Sequence, residues 1–258
     1  MSDECKSMND AAPSGCPVCG GECVIHDVVD FNKSCEESKG KFVELSGRPI
    51  YYHLCQQCHF CFAPEMHEWS LDKFTKEIYN DDYGRFDPDY EGLRPKGNAE
   101  GLMTLFGRRA PDIRHLDYGG GNGLLSRILC DHGFKSQSYD PFVNRDVNIE
   151  ALGEFDLITA YEVFEHVPDV QALMTSLTAL RKANGVVLFS TLVSDGEIVQ
   201  NQRLTWWYAS PRNGHISLFS RDSLVRLSSR FALKFGSFNS GLHAFWTAPP
   251  DWAGHVFK

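Results

Sequence analysis

Short apolar strands alternate with helices along residues 111–248, and this alternation constrains the fold more than any other feature of the sequence. The strands are predicted at 113–118, 136–140, 155–161, 185–191, 233–238 and 242–247. The helices are predicted at 123–131, 170–182 and 220–230. Strands that alternate with helices form a largely parallel sheet with helices on both faces. We therefore predict an α/β fold built on a Rossmann-like, mostly parallel sheet.

The cysteines are concentrated at the N-terminal end, where eight of the nine precede residue 62. Two pairs have C-x-x-C spacing: Cys16 with Cys19, and Cys55 with Cys58. A tight turn of this kind places two thiolates about 2.3 Å from one tetrahedral Zn²⁺. Clustered cysteines in a reducing compartment indicate a metal rather than disulfides. We therefore predict a small zinc-ribbon-like lobe with these four ligands.

The predicted zinc is structural, because a closed four-sulfur site leaves no position for water. Such a metal stabilises a lobe that is too small to bury a sufficient core. The loop between the two pairs is longer than usual for such sites, and other side chains could replace one ligand. These are Cys23, Cys61, His26, His53 and His59. Cys35 is expected to be free.

The charge balance argues against a general nucleic-acid binder. The chain has 34 acidic and 25 basic residues and a net charge of −9, whereas binding to phosphate backbones depends on Lys and Arg. The longest apolar run, 186–189, is far shorter than the roughly 20 residues of a membrane helix. Residues 1–6 lack the pattern of a signal peptide. We therefore expect a cytoplasmic protein without a membrane span.

A glycine-rich segment ends the first strand of the α/β region and opens its first helix. Glycines at this place let the backbone approach a ligand closely. The spacing does not fit the dinucleotide fingerprint G-x-G-x-x-G. It fits acid-x-G-x-G-x-G, with Asp117, Gly119, Gly121 and Gly123. This pattern resembles the nucleotide-binding signature of class I S-adenosylmethionine (SAM)-dependent methyltransferases.

The resemblance implies that the glycine loop wraps the methionine end of SAM, with Asp117 near its ammonium group. It also implies that an acidic residue at the end of the second strand holds both ribose hydroxyls. Asp140 stands 23 residues after Asp117 and occupies that place. A carboxylate suits the role because it can accept two hydrogen bonds from a vicinal diol. The corresponding acid at the adenine edge is poorly marked, and Asp146 is the nearest candidate.

The segment 155–167 ends in Glu-His-Val, which is similar to the small-molecule branch of the same family. The resemblance places Tyr161 and Glu162 at the carboxyl end of the strand, facing the cofactor. His166 follows one turn later, where a base or a substrate contact could lie, although a packing role is an equal alternative. Glu165 is expected to be a solvated carboxylate at a helix start.

Three adjacent aromatic residues, Trp206, Trp207 and Tyr208, precede a Pro-Arg-Asn-Gly-His segment. They could pack a loop over the sheet or form an active-site lid. Similar methyltransferases often place a histidine before the next helix, so His215 is the first candidate for the general base and His166 the second. Arg212 could bind an anionic group or lie on the surface. His243 is expected to be a core or edge histidine.

The chain is predicted to have three parts, which are a zinc lobe (1–62), a helical and looped connector that covers the cofactor mouth (63–107) and a SAM-binding domain (108–258). In the connector, Leu71, Phe74 and Ile78 have helical spacing. A loop is predicted at 87–95 and a second helix at 98–106. Tyr83 and Arg94 are candidates for the cofactor mouth.

The predicted function is methyl transfer from SAM to a small-molecule acceptor. The acceptor could be a sugar or nucleotide-sugar, because zinc-binding lobes also occur in methyltransferases that act on nucleotide-linked sugars. The alternative is a nucleic-acid-binding zinc ribbon with a degenerate Rossmann domain, or an RNA or DNA methyltransferase. The lobe mixes basic and acidic residues rather than forming a basic stripe, and the Asn/Asp-Pro-Pro-Tyr-type motif is absent after the strand at 155–161. Both observations disfavour the alternative.

Overall fold

The computed structural model describes residues 15–257. Cys5 and the N-terminal residues on which the signal-peptide expectation depends lie outside this range. The strands are β1 (Cys23–Asp30), β2 (Pro49–Cys55), β3 (Cys61–Phe62), β4 (Arg114–Tyr118), β5 (Lys135–Tyr139), β6 (Phe155–Tyr161), β7 (Arg181–Ser190), β8 (Ser217–Leu218), β9 (Lys234–Ser237) and β10 (Leu242–Trp246). The helices are α1 (Pro64–His67), α2 (Leu71–Glu77), α3 (Leu93–Phe106), α4 (Leu124–Asp131), α5 (Val170–Leu180) and α6 (Arg221–Arg230).

The larger sheet has six strands in the order β5-β4-β6-β7-β10-β9. Strands β5, β4, β6 and β7 run parallel, and β10 is antiparallel to both of its neighbours. The connections through α4 and α5 join parallel strands, as in βαβ units. This sheet confirms the prediction of a Rossmann-like, mostly parallel α/β fold.

Alternate residues of β7 show how helices cover both faces of the sheet. Val186 and Leu188 pack in one core with residues of α3 and α4. Val187 and Phe189 pack in another core with residues of α5 and α6. Successive side chains of a strand point to opposite faces, so an uninterrupted apolar strand is buried on both sides.

A second sheet is antiparallel and has the order β1-β2-β3-β8. Its fourth strand comes from the C-terminal part of the chain, with Cys61 paired to Leu218 and Phe62 to Ser217. The turns that carry Cys16 and Cys58 pack in the same core as α5 and α6. The cysteine-rich segment is therefore integrated into the α/β unit, and the division of the sequence at residues 62 and 107 stays a prediction.

Several elements differ from the sequence-based expectations. Strand β1 has no counterpart among the strands predicted from the sequence. Helix α3 begins at Leu93 and includes Arg94-Pro95, which were predicted as loop, because proline is tolerated in the first turn of a helix. Between β5 and β6 the described chain forms only a short 3-10 turn, Ile149–Leu152. Asp146 is exposed in this stretch.

None of the helices in residues 15–257 combines the length and the apolar character needed to cross a bilayer.

Candidate functional site

A cleft of about 590 Å³ opens at the carboxyl ends of β4, β5 and β6. Its floor is formed by residues that end these strands or follow them, namely Asp117, Tyr118, Asp140, Tyr161 and Glu162. The volume is in the usual range for small-molecule sites. In open α/β sheets, ligands bind at this edge. The cleft is therefore the candidate ligand site of this fold.

The glycine loop 119–121 forms one wall of the cleft. Gly119 has a φ of 75°, a left-handed conformation that favours glycine. At Gly120, an added Cβ would lie 2.4 Å from Oδ2 of Asp117 and 2.3 Å from Oγ of Ser138. The sequence motif treats position 120 as variable, whereas the structure requires glycine there because the loop folds tightly over two polar side chains.

Gly123 has a different place from the other motif glycines. It precedes the first residue of α4 with a φ of 72° and is not among the residues that line the cleft. Its backbone conformation turns the loop into the helix, so its role in the structure is to shape the loop.

Asp140 is a buried carboxylate at the edge of the cleft and follows β5 directly. Its Oδ2 accepts a hydrogen bond from the Gly121 N–H at 3.0 Å, and its Oδ1 accepts one from the Phe142 N–H at 2.8 Å. A carboxylate has about four lone-pair positions, so two remain for a ligand. The backbone contacts orient Asp140 toward the glycine loop, as a ribose ligand would require.

Asp117 lies beneath the glycine loop and is almost completely buried. The Thr159 hydroxyl donates a hydrogen bond of 2.9 Å to its Oδ1. On the other side, Nε2 of His115 lies 2.9 Å from the same hydroxyl oxygen. Burial raises the pKa of Asp117 to about 7, with a further contribution from the nearby charge of Asp140. A cationic ligand group would favour the ionised form of this carboxyl.

Glu162 follows β6 and has an unusual backbone conformation for a non-glycine residue, with a φ of 53°. Two hydrogen bonds to Ser190 hold it there: the Glu162 N–H donates to Ser190 Oγ at 2.8 Å, and the Ser190 hydroxyl donates to Glu162 Oε1 at 2.7 Å. Strained conformations of this kind concentrate at functional sites. Tyr161 lines the cleft beside it, and burial raises the pKa of its hydroxyl.

Residues 71–98 supply the opposite wall of the cleft, which is rich in aromatic rings. The Tyr79 ring packs edge-on against Phe142 at a centroid distance of 4.8 Å and against Tyr83 at 5.1 Å. Arg94 also lines the cleft, and its guanidinium binds both carboxylate oxygens of Asp87 at 2.7 and 2.8 Å. The wall therefore offers apolar ring faces and a fixed ion pair.

His166 and His215 meet beside the cleft, with ring centroids 4.9 Å apart. His166 lines the cleft, whereas His215 lies behind it and is not among the lining residues. Burial lowers the pKa of His166 to about 4 and lowers that of His215 well below its usual value. Both rings are therefore neutral near pH 7 and can accept a proton or bind a cation through a lone pair.

Glu165 lies beside the two histidines. The expectation that its carboxylate is solvated is wrong. Its side chain is 0% exposed, and the Tyr208 hydroxyl donates a hydrogen bond of 2.6 Å to its Oε1. Burial, reinforced by the charge of Glu162, raises the pKa of Glu165 well above its usual value. The Ile216 N–H donates to its backbone carbonyl. Glu165 is buried because the segment that contains Tyr208 and Ile216 folds over its turn.

The remaining candidate residues from the sequence lie outside the cleft and make packing or hydrogen-bond contacts. Trp206 and Tyr208 are buried in the core of the N-terminal sheet, so they pack a loop, while Trp207 is 39% exposed. The Arg212 guanidinium is buried over the Phe86 ring, 3.8 Å from its centroid, and is neither on the surface nor in the cleft. In His243, both ring nitrogens have hydrogen-bond partners inside the sheet.

The four predicted zinc ligands come together in the N-terminal, cysteine-rich part of the described chain. The sulfur atoms of Cys16, Cys19, Cys55 and Cys58 all lie within 4.8 Å of one another. The distance from Cys16 to Cys58 is 3.6 Å, and that from Cys19 to Cys55 is 3.5 Å. These separations suit four thiolates around a tetrahedral ion with bonds of about 2.3 Å. The geometry therefore fits the predicted site.

The comparisons with known proteins agree on one class. A family model described as "Methyltransferase domain" matches residues 90–234. A ubiquinone biosynthesis O-methyltransferase of Methylococcus capsulatus is 32% identical over 112 residues, which are 34% of this chain and 45% of that protein. The Escherichia coli protein of the same name is 28% identical over 158 residues, which are 52% and 60% of the two chains. The chain thus spans about half the length of these curated relatives.

A solved structure has a similar fold. An O-methyltransferase family protein from Burkholderia thailandensis superposes with a TM-score of 0.50 at 13% identity, covering 69% of this chain and 64% of that one. The family model spans more than half of this chain and includes the glycine loop, Asp140 and His166, while the cysteine pairs lie outside it. The chain belongs to the methyltransferase domain family.

Proposed function

We propose that this protein is a SAM-dependent methyltransferase that acts on a small-molecule acceptor. The observation that carries the proposal is the position of Asp140, which is fixed beside the glycine loop with free lone pairs at the mouth of the cleft. In this arrangement Asp140 holds the ribose hydroxyls. The loop 119–121 surrounds the amino-acid end, and Asp117 lies near the ammonium group.

The acceptor occupies the part of the cleft between the aromatic wall and His166. Tyr79, Tyr83 and Phe142 offer ring faces, which suit a flat or cyclic acceptor. The names of the relatives, O-methyltransferases of ubiquinone biosynthesis, support a hydroxyl oxygen as the methylated atom. A sugar or nucleotide-sugar, as expected from the sequence, is one member of this class of cyclic hydroxyl compounds.

The residues of the cleft align the two substrates and remove a proton. When bound, SAM supplies the methyl group, and the acceptor oxygen forms the new C–O bond as the C–S bond breaks with its electrons passing to sulfur. His166 lines the cleft as a neutral imidazole and takes the proton of the hydroxyl, with His215 behind it. Asp140 and the glycine loop would hold the methyl donor beside the acceptor, which would lower the entropic cost of the reaction.

We further propose that the four-cysteine site holds a structural zinc ion. Its sulfur geometry supports a closed tetrahedral site. Two backbone N–H groups, of Gln57 and Cys58, point at the Cys55 sulfur at 3.4 and 3.5 Å. Such contacts stabilise a thiolate. The zinc would connect the two cysteine turns to the core that they share with α5 and α6.

The nucleic-acid alternative receives no support from the charges of the described lobe. Lys39 and Lys41 both pair with Glu36, and Arg48 pairs with Glu65. Lys33 donates to backbone carbonyls of residues 206 and 209. These four basic residues are therefore engaged within the protein rather than arranged as a stripe for phosphates.

Titration calorimetry with S-adenosylhomocysteine (SAH) tests the proposed function. We expect one SAH to bind per chain and expect Asp140→Ala to weaken binding at least tenfold. Asp131→Ala is the matched control, because Asp131 is an exposed aspartate outside the cleft. Absence of binding heat in the folded wild-type protein would overturn the proposal, as would equal binding by the Asp140 variant.

A further inference from the structure

Three metal-binding side chains converge at the inner end of the cleft, outside the cysteine site. One ligand atom each from Glu165, His166 and His215 lies within 4.8 Å of the others. We propose that these residues bind a divalent cation of the first transition row. The inference rests on the proposed function and changes one step of it, because with the cation bound His166 would be a metal ligand and would no longer take the proton of the acceptor.

The hydrogen bonds of the two histidines use Nδ1 and leave Nε2 of each ring free to bind a metal ion. Nδ1 of His166 lies 3.1 Å from the Gly214 carbonyl oxygen, and Nδ1 of His215 lies 2.8 Å from that of Tyr208. A carbonyl only accepts, so each Nδ1 carries the proton and donates it. Each Nε2 therefore has an unshared lone pair. Backbone carbonyls that orient metal-binding imidazoles in this way are typical of metal sites.

Glu165 is a buried carboxyl group without a Lys or Arg partner among the described residues. Within residues 15–257, its nearest basic group is Nε2 of His166 at 4.0 Å, and no Lys or Arg pairs with it. Its Oε1 accepts from Tyr208, whereas Oε2 has no partner at hydrogen-bond distance in the same range. The Thr191 hydroxyl lies close enough to interact with this carboxyl group, but it completes no hydrogen bond within the same range. Because an unpaired buried carboxylate is costly, a cation bound to this group would stabilise its ionised form.

The ligand set indicates which ions fit. Two imidazoles and one carboxylate suit first-row divalent ions such as Mn²⁺, Fe²⁺, Co²⁺ or Zn²⁺ and leave coordination positions open. His166 borders the cleft with 15% of its side chain exposed, so the open positions face the acceptor region. A hydroxyl oxygen bound there would lose its proton to water in the cleft more readily, since a bound cation lowers the pKa of oxygen ligands.

Mn²⁺ distinguishes this site from the cysteine site, because it prefers oxygen and nitrogen ligands to thiolates. The full-length protein would be freed of loosely bound metal and titrated with MnCl₂, with free Mn²⁺ followed by electron paramagnetic resonance. We expect one Mn²⁺ per chain. Glu165→Gln, which keeps an acceptor for Tyr208, and His215→Gln should each weaken binding at least tenfold.

Two further variants complete the experiment. His166→Gln lies at the cleft edge, so it should lose Mn²⁺ binding even where the deeper substitutions disturb folding. His243→Gln is the matched control, because His243 is a buried histidine whose two nitrogens already have partners, and it should bind Mn²⁺ like the wild type.

SAH binding by the same samples separates the two proposals. Wild-type protein that binds SAH but no Mn²⁺ would overturn the cation site and leave the proposed function intact. Equal Mn²⁺ binding by the wild type and all three ligand variants would also overturn it. Mn²⁺ binding without SAH binding would instead count against the proposed function alone.

Discussion

The hydroxyl of Tyr208 donates a hydrogen bond to the carboxyl group of Glu165 across 2.6 Å, and both side chains are buried. Removing the donor leaves Oε1 without a partner in a place that water does not reach. We expect Tyr208→Phe to lower the free energy of unfolding by about 1–3 kcal/mol, the usual cost of an unsatisfied buried polar group. Chemical denaturation measures the change. Tyr51→Phe, at an exposed tyrosine, should change stability little, and equal stability of the two variants would contradict the prediction.

Gly120→Ala should damage the cleft without unfolding the protein. The added Cβ collides with Asp117 and with Ser138, so the loop must move away from its ligand-binding position. We expect the affinity for SAH to fall at least tenfold. The matched control is Gly101→Ala, an exposed helical position where a Cβ meets nothing within 4 Å. The control should bind SAH normally and gain roughly 0.5–1 kcal/mol of stability. Normal SAH affinity in Gly120→Ala would refute the prediction.

SAH affinity should increase as the pH rises through about 7. The carboxyl group of Asp117 has a pKa of about 7 because it is buried, and its ionised form pairs with the ammonium group of the ligand. Calorimetry between pH 5.5 and 8, in buffers of equal ionic strength, measures the trend. Asp117→Asn should flatten it, because the amide does not ionise. A pH profile identical in the two proteins would argue against ionisation of Asp117.

The same carboxyl group affects the stability of the unliganded protein in the opposite direction. In the unfolded chain it ionises near 3.8, whereas in the folded protein it retains its proton up to about 7. Between these values the unfolded state binds fewer protons, so the Asp117 contribution to stability falls as the pH rises. Asp117→Asn should therefore be more stable relative to the wild type at pH 8 than at pH 4, as thermal denaturation at both values would show.

Cobalt substitution tests the thiolate site separately. A Co²⁺ ion bound by Cys16, Cys19, Cys55 and Cys58 gives the strong visible absorption of tetrahedral thiolate cobalt. We expect Cys19→Ser to lose most of this absorption, to contain less zinc as purified and to have a lower melting temperature. Cys130→Ser, at an exposed cysteine, should behave like the wild type. Equal zinc content in both variants would count against the four-cysteine assignment.

The sequence predicts the larger sheet well because its strands carry strong local signals. Strand β6 has the predicted bounds, and the N-cap of α6 is the predicted Ser220, whose hydroxyl accepts the Ser223 N–H. Strands β6 and β7 are largely apolar, as buried parallel strands are, and the turn after β4 contains glycine. Neither signal depends on knowing which distant residues pair.

The N-terminal sheet was harder to predict because its strands depend on distant partners. Strand β8 has only two residues and exists through its pairing with β3, more than 150 positions earlier in the chain. Strand β1 has no alternation of apolar and polar residues strong enough to indicate a strand by itself.

The candidate site also has one part that the sequence predicts and one part that it does not. The cofactor side follows from a motif and from Asp140, which are close in sequence. The contact between Glu165 and His215 joins residues 50 positions apart, and the burial of Glu165 depends on a loop whose path the sequence does not reveal.

The pairing of β3 with β8 has a consequence for truncated forms of the protein. Strand β8 begins two residues after His215, and the buried Tyr52 hydroxyl donates to the His215 carbonyl at 2.7 Å. A fragment that starts after residue 62 would keep the glycine loop but lose both attachments that hold this histidine. The cysteine-rich segment thus fixes the position of His215, which lies more than 150 residues later in the chain.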